Sequence, residues 1–262
     1  QPPLLVVPTT TELELDPACP RVGPVRRKVM TGIPIRPFGG PRVWAPTGAE
    51  AAAFDRMAID EQGVSQVTLM ECAGRSAAQV LDRLFPRGEA VALIGAGNNG
   101  GDGLVLLRTL RSWGRPVKAV LVADRPEDDP LLHGWDVPLL SDGGDDGTGG
   151  APSGRLGDGR LLDSVLGDAA VIVDGILGTG IKGAPRARQA MAIQAINRSP
   201  RPVFALDAPS GIDADTGRID GEAVAAQVTV ALGWPKLGTF LQPARTNVGR
   251  LIAVEIGFPP AG

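Results

Sequence analysis

From Gly88 onward the chain alternates short apolar runs with segments of helical periodicity, and few architectures accommodate that pattern. The runs are Glu89–Ile94, Pro116–Val122, Val137–Leu140, Ala169–Val173, Pro202–Leu206, Gln227–Leu232 and Leu251–Val254. Several are apolar at odd and even positions alike, so both faces of the strand must be buried. Strands of that kind belong to a parallel sheet covered by helices on both sides. A single α/β domain is therefore expected.

Ahead of the strands two T-x-x-E patterns mark helix starts, because a threonine hydroxyl and a glutamate three residues later can satisfy each other's backbone amides. Thr47 with Glu50 predicts a helix to about Gln62, stopped by Gly63. Thr68 with Glu71 predicts a second helix carrying Leu69, Cys72, Ala73, Val80, Leu81 and Leu84, ending near Gly88. Residues 1–42 are proline-rich with no period, and are read as an N-terminal extension to a domain spanning 43–262. Ser141–Gly154 is too polar to pack and reads as a mobile surface insertion; it divides no domain, since the strand pattern resumes after it.

With 43% hydrophobic residues in 262, the chain can bury a sizeable core. Its 26 basic and 29 acidic residues are intermixed, so neither nucleic acid nor an anionic membrane is an expected partner. No apolar run reaches the ~18 residues of a membrane span, which predicts a soluble protein. The two cysteines, Cys19 and Cys72, have neither metal nor redox spacing and suit a reduced, cytoplasmic setting. His133 is the only histidine and has no serine or cysteine motif beside it, which argues against triad chemistry.

Three strands end in glycine-rich turns bearing oxygen side chains. The first, GAGNNGGDG (Gly95–Gly103), satisfies G-x-G-x-x-G between a strand and a helix, and Asp124 follows at the end of the next strand. Glycines there admit a pyrophosphate to the helix amino terminus. Asn98, Asn99 and Asp102 are poor companions for an anion, but they suit a cation or a hydroxylated ring. The second turn, VDGILGTGIKGAP (Val173–Pro185), places Pro185 in the first turn of the next helix. The third, ALDAPSGIDADTG (Ala205–Gly217), carries Asp207 and Ser210. Ligands bind at the carboxyl ends of parallel strands, so the three turns are expected to share one cleft. Lys236 could either meet a phosphate or brace a loop. Cys72 reads as core, and the four tryptophans as dispersed.

In order along the chain, LMECAG (Leu69–Gly74), GNNGGDG (Gly97–Gly103), VDGILGTG (Val173–Gly180), DAPSGIDADTG (Asp207–Gly217), GWPKLG (Gly233–Gly238) and VEIGFP (Val254–Pro259) resemble the NAD(P)H-hydrate epimerase family, the YjeF amino-terminal domain. The resemblance runs from about Thr47 to Pro259 and implies a Rossmann-like three-layer α/β/α sandwich with a mostly parallel central sheet. Cys72 departs from it, standing where the family usually has asparagine. Many bacterial members continue into an ATP- or ADP-dependent dehydratase domain, so a functional partnership with such a dehydratase is implied.

The resemblance also implies a reaction: epimerisation of hydrated NADH or NADPH, in which a hydroxyl sits on the carbon beside the ring nitrogen. Protonating that hydroxyl lets the nitrogen lone pair expel water and leave an iminium, to which water returns from the opposite face. Asp207 is the expected proton shuttle; its carboxyl would have to rise above the ordinary ~3.9 for efficient acid catalysis. The family pattern assigns substrate contacts to Asn98, Asn99, Gly100, Gly101 and Asp102, to Gly178, Thr179, Gly180, Ile181, Lys182, Gly183 and Ala184, and to Asp207. It assigns one potassium ion per subunit to Asn99, Asp174 and Ser210, and it implies a homodimer. Asp102 is expected to orient substrate rather than to react. The rival readings are an NAD(P)-dependent dehydrogenase and a catalytically silent binding module; the joint presence of Asn99, Asp174, Asp207 and Ser210 favours the enzyme.

Overall fold

A computed structural model describes residues 44–126, 129–140, 160–180 and 182–258. The proposed N-terminal extension and the Ser141–Gly154 insertion therefore lie outside the described residues. Helix α1 (Gly48–Arg56) is opened by the expected capping box between Thr47 and Glu50 and passes into a π-helical turn, Met57–Glu61. Helix α2 (Gln66–Leu84) corrects the second expected start. Its N-cap is Ser65, whose hydroxyl accepts from the Thr68 amide at 3.1 Å, so Thr68 lies inside the first turn. Glu71 is then free of capping duty and pairs with Arg75 and Arg108.

Strands β1 (Ala90–Ile94), β2 (Val117–Leu121), β3 (Leu139–Leu140), β4 (Val171–Gly175), β5 (Val203–Leu206), β6 (Val228–Leu232) and β7 (Arg250–Val254) form one sheet. Their order is β3-β2-β1-β4-β5-β6-β7, and every pairing is parallel. Between them run α3 (Asn98–Ser112), α4 (Arg160–Asp168) and α5 (Ala187–Arg198). Pro185 does not enter α5, whose N-cap is Arg186; the proline ends the preceding loop instead.

Alternation along the strands builds two cores. Ala90, Ala92 and Ile94 of β1 face α2 and α3, meeting Ala77, Leu81, Leu104 and Leu107. Val91 and Leu93 face the opposite layer, with Leu166, Ile193 and Ile196 of α4 and α5. Each such buried aliphatic side chain contributes about 1.5–3 kcal/mol, and the three-layer sandwich is the arrangement that hides both faces. Cys72 packs against the first core, where burial pushes its thiol up. Among the described residues no helix is long and apolar enough to cross a membrane.

Candidate active site

The chain reverses direction across the sheet between β1 and β4: β2 and β3 lie to one side, β5 to β7 to the other. That reversal opens a crevice at the carboxyl ends of the strands, where open α/β sheets bind ligands. The loops after β1, β4 and β5 all arrive there.

In the β1 turn the glycines divide their work. A Cβ on Gly95 would sit 1.9 Å from the Ile176 carbonyl oxygen, and one on Gly100 would sit 2.0 Å from that of Gly95. Both positions are taken up by backbone against backbone. Gly97 has nothing within 4 Å of its Cβ position and caps α3, so this is where an anion can approach the helix amino terminus. The turn is braced from outside by a residue the fingerprint does not contain. Arg125 donates from Nη1 to the Gly95 carbonyl at 2.9 Å, while its Nε lies 2.5 Å from Asp129. Asp124, the fingerprint acid, is exposed and pairs with Arg188 at 3.2 Å.

Asn99, Asp174 and Ser210 do come together. Fully buried Asp174 accepts from the Ser210 hydroxyl at 2.5 Å, the Ser210 amide at 2.8 Å and the Ile176 amide at 3.2 Å. Burial pushes its carboxyl up to about 6 against the downward pull of those bonds. Ser210 Oγ also accepts from the Leu177 amide, and Asn99 Nδ2 donates to the Leu177 carbonyl at 2.8 Å. Asn99 Oδ1 is buried with no donor facing it. A buried amide oxygen left so is costly, and oxygen donors of this kind suit a hard cation.

Asp207 follows β5 with a φ of 62°, a left-handed conformation that a non-glycine residue adopts only under constraint. Its amide donates to the Val230 carbonyl at 2.8 Å, and its carboxylate accepts from the Leu232 amide at 3.1 Å. Lys236, only 4% exposed, forms an ion pair with that carboxylate and also donates to the Leu232 carbonyl at 3.1 Å. Lys236 therefore belongs to the site. Its sequence signal was its place in GWPKLG, and it does brace a loop, tying the Leu232 carbonyl to the Asp207 carboxylate.

The remaining expected contacts are divided. Asn98 is exposed and accepts from Gln66 at 3.0 Å; Gly101 is buried, with the Met70 sulfur against it. Asp102 is 9% exposed. Gly178 lies against Asn99, whereas Lys182 turns outward to Asp213 and Asp215, at 3.2 and 2.6 Å. Asp215 in turn accepts from the Gly48 amide at the start of α1. Thr179 is half-buried, Gly180, Gly183 and Ala184 are exposed, and Ile181 lies outside the described residues. Trp44 and Trp234, expected to be apart, meet edge-on with centroids 5.0 Å apart, which seats the start of the described chain beside the Lys236 loop.

Comparison with known proteins identifies relatives of this chain. A family model described as YjeF-related protein N-terminus matches residues 66–238. The chain is 35% identical over 217 residues to the NAD(P)H-hydrate epimerase of Dehalogenimonas lykanthroporepellens, covering 79% of this chain and 80% of that protein. It is 38% identical over 219 residues to the bifunctional NAD(P)H-hydrate repair enzyme Nnr of Moorella thermoacetica, covering 81% of this chain and 40% of that one. The chain thus spans less than half the length of such bifunctional relatives. The crystal structure of yeast ynu0 matches with a TM-score of 0.65 at 25% identity, over 84% of this chain and 96% of the yeast one. On the family match and the identity to a relative of which it covers 80%, the chain belongs to the YjeF-related amino-terminal domain family.

Proposed function

We infer that this domain interconverts the two epimers of hydrated NADH or NADPH, as an isomerase of nicotinamide nucleotide repair. The observation that carries the reading is the convergence, at one crevice, of an anion-accepting helix start, a buried oxygen cluster and the Asp207–Lys236 pair. The names of the relatives, an epimerase and bifunctional hydrate repair enzymes, support it.

The reaction asks for a proton shuttle and for stabilisation of a cationic iminium, with no net redox change. Asp207 supplies both: a carboxylate near the ring stabilises positive charge, and it can exchange a proton with the departing or arriving water. Lys236 and the Leu232 amide fix its direction. The amides opening α3 and the loop after β4 hold the dinucleotide.

A potassium ion fits the cluster of Asn99, Asp174 and Ser210, on the ground that Asn99 Oδ1 is buried and otherwise unmatched. When bound to Asn99, Asp174 and Ser210 it would supply fixed positive charge to the crevice. One ion per subunit, a homodimer, a cytoplasmic setting and cooperation with an ATP- or ADP-dependent hydrate dehydratase complete the proposal. The bifunctional relatives favour the last of these.

The test is to give the purified protein one epimer of hydrated NADH and follow the other by chromatography or NMR. Interconversion above the spontaneous rate is expected; a rate equal to background overturns the reading.

A further inference from the structure

Asp102 stands in the first turns of α3 with 9% of its surface exposed, and no described residue donates a hydrogen bond to its carboxyl or forms an ion pair with it. A carboxylate buried without donors is expensive. Burial pushes this carboxyl well above the usual carboxylate range; Asp207 adds to the rise, Lys236 opposes it, and Asp55 of α1 adds again. The crevice therefore holds two carboxyl groups in contrasting surroundings. One is ion-paired to a lysine, and the other has no donor among the described residues and is pushed by burial toward its protonated form. Environments that separate two acids in this way mark an acid and a base.

The chemistry also asks for two. Inversion at one carbon requires the hydroxyl to leave from one face of the ring and water to return to the other. Asp207 cannot swing between faces, because its carboxylate is held by Lys236 and by the Leu232 amide on a left-handed backbone. We propose that Asp102 is a second proton-handling residue, serving the ring face that Asp207 does not reach. The proposal rests on the hydrate-epimerase reading.

In one direction the Asp102 carboxyl gives its proton to the substrate hydroxyl. The C–O bond breaks with its electron pair leaving on water, and the ring-nitrogen lone pair forms the C=N bond of the iminium. Water then adds from the other face. Its oxygen supplies the new C–O bond, the C=N π pair returns to nitrogen, and the surplus proton passes to the Asp207 carboxylate. Asp102 ends as the carboxylate and Asp207 as the acid, which is the starting state for the opposite epimer; proton exchange with solvent resets the pair.

The experiment incubates each purified epimer separately in heavy-oxygen water with wild type, Asp207→Asn and Asp102→Asn, reading configuration by NMR and label by mass spectrometry. Wild type should invert and label both epimers. Each variant should lose inversion by about 10²-fold or more, the scale of a general acid–base contribution. Each should still label one epimer with retention, through the residue that remains, and the two variants should spare opposite epimers. A merely structural Asp102 would not produce that crossed pattern. Labelling of neither epimer by Asp207→Asn overturns the proposal, as does inversion by Asp102→Asn within about threefold of wild type rather than the ~10²-fold expected. In both cases the epimerase reading stands as long as wild type inverts. Wild type that neither inverts nor labels overturns both. Should Asp102→Asn fail to fold, the labelling by Asp207→Asn decides alone.

Discussion

Lys236 and Asp207 form a nearly buried ion pair although 29 residues separate them in the chain. They are neighbours because β5 and β6 are adjacent and parallel, so the loops leaving both strands open on the same side of the sheet. The pair joins a charged group to the strained residue after β5, and so couples the stability of the loop to the direction of its carboxylate.

Replacing Lys236 with methionine keeps the side-chain length and removes the charge. The Asp207 carboxylate then loses its counterion while retaining partial solvent access, its side chain being 14% exposed. Breaking a buried pair costs about 3–5 kcal/mol, and that access places the expected loss near the lower figure. Chemical denaturation should show it. Turnover should fall at least tenfold, because the shuttle loses both its direction and its electrostatic anchor.

Asp207→Asn should remove most epimerase activity, by about 10²–10⁴-fold, and leave the fold intact. The backbone explains why asparagine is the right probe: it tolerates the left-handed region that Asp207 occupies at φ 62°, whereas Asp207→Ala adds roughly 1 kcal/mol of strain. Both variants strip the buried Lys236 ammonium of its counterion, so both should melt below wild type, with Asp207→Ala the lower of the two. Near-normal turnover in Asp207→Asn would remove Asp207 from the mechanism.

Much of this architecture was legible in the sequence because strand burial and capping are local. The seven apolar runs became the seven strands with ends displaced by only a residue or two. Where local signals competed, the reading failed: Ser65 and Thr68 both offer a hydroxyl, and the extended backbone at Ser65 decided which caps α2. The family motifs located Asn99, Asp174 and Ser210, but the hydrogen bonds that join them cross from β4 to the β5 loop and could not be read from any one motif. Long-range partners were equally hidden. Arg125 reaches the β1 turn from beyond β2, and nothing in the composition of DRPEDD says which carbonyl it will meet. Asp102 was expected to orient substrate; its burial and lack of a donor appear only once α3 is packed.

The raised Asp102 carboxyl makes stability depend on pH. Its acid form is the one the fold favours, so its contribution is complete below the unfolded value of about 3.9 and is lost as pH climbs toward the raised folded value. Asp207, Lys236 and Asp55 are the charged groups facing it, and they stay in place in an Asp102→Asn variant. That variant has no proton to lose. Its melting midpoint should match wild type near pH 4 and exceed it increasingly as pH rises above that. Parallel midpoints across that range would show that burial does not hold Asp102 neutral.

Potassium should raise the melting midpoint more than sodium at equal ionic strength, since a cation bound to the native state stabilises by mass action. The ligand left unmatched by the protein is Asn99 Oδ1, so Asn99→Leu should abolish the difference between the two salts without requiring any activity assay. Identical melts of the wild type in both salts would defeat the proposed ion site.

The glycines of the first turn separate folding from binding. At Gly100 a methyl group would meet the Gly95 carbonyl oxygen at 2.0 Å, with the Arg125 guanidinium 3.1 Å away, and backbone on that side cannot yield cheaply. Gly100→Ala should cost about 1–3 kcal/mol in overpacking and lower the midpoint by roughly 2–10 °C. At Gly97 the same methyl group has open space, and the φ of −86° suits any residue. Gly97→Ala should therefore melt like wild type, but its methyl group enters the space through which an anion approaches the α3 amides. The expected outcome is an unchanged midpoint with dinucleotide binding weakened about tenfold, as titration calorimetry would read it, equivalent to roughly 1.4 kcal/mol. Gly97→Ala binding as tightly as wild type would mean that the diphosphate does not sit at the start of α3. The helix would then be aligned by Gly95 and Gly100 for packing alone.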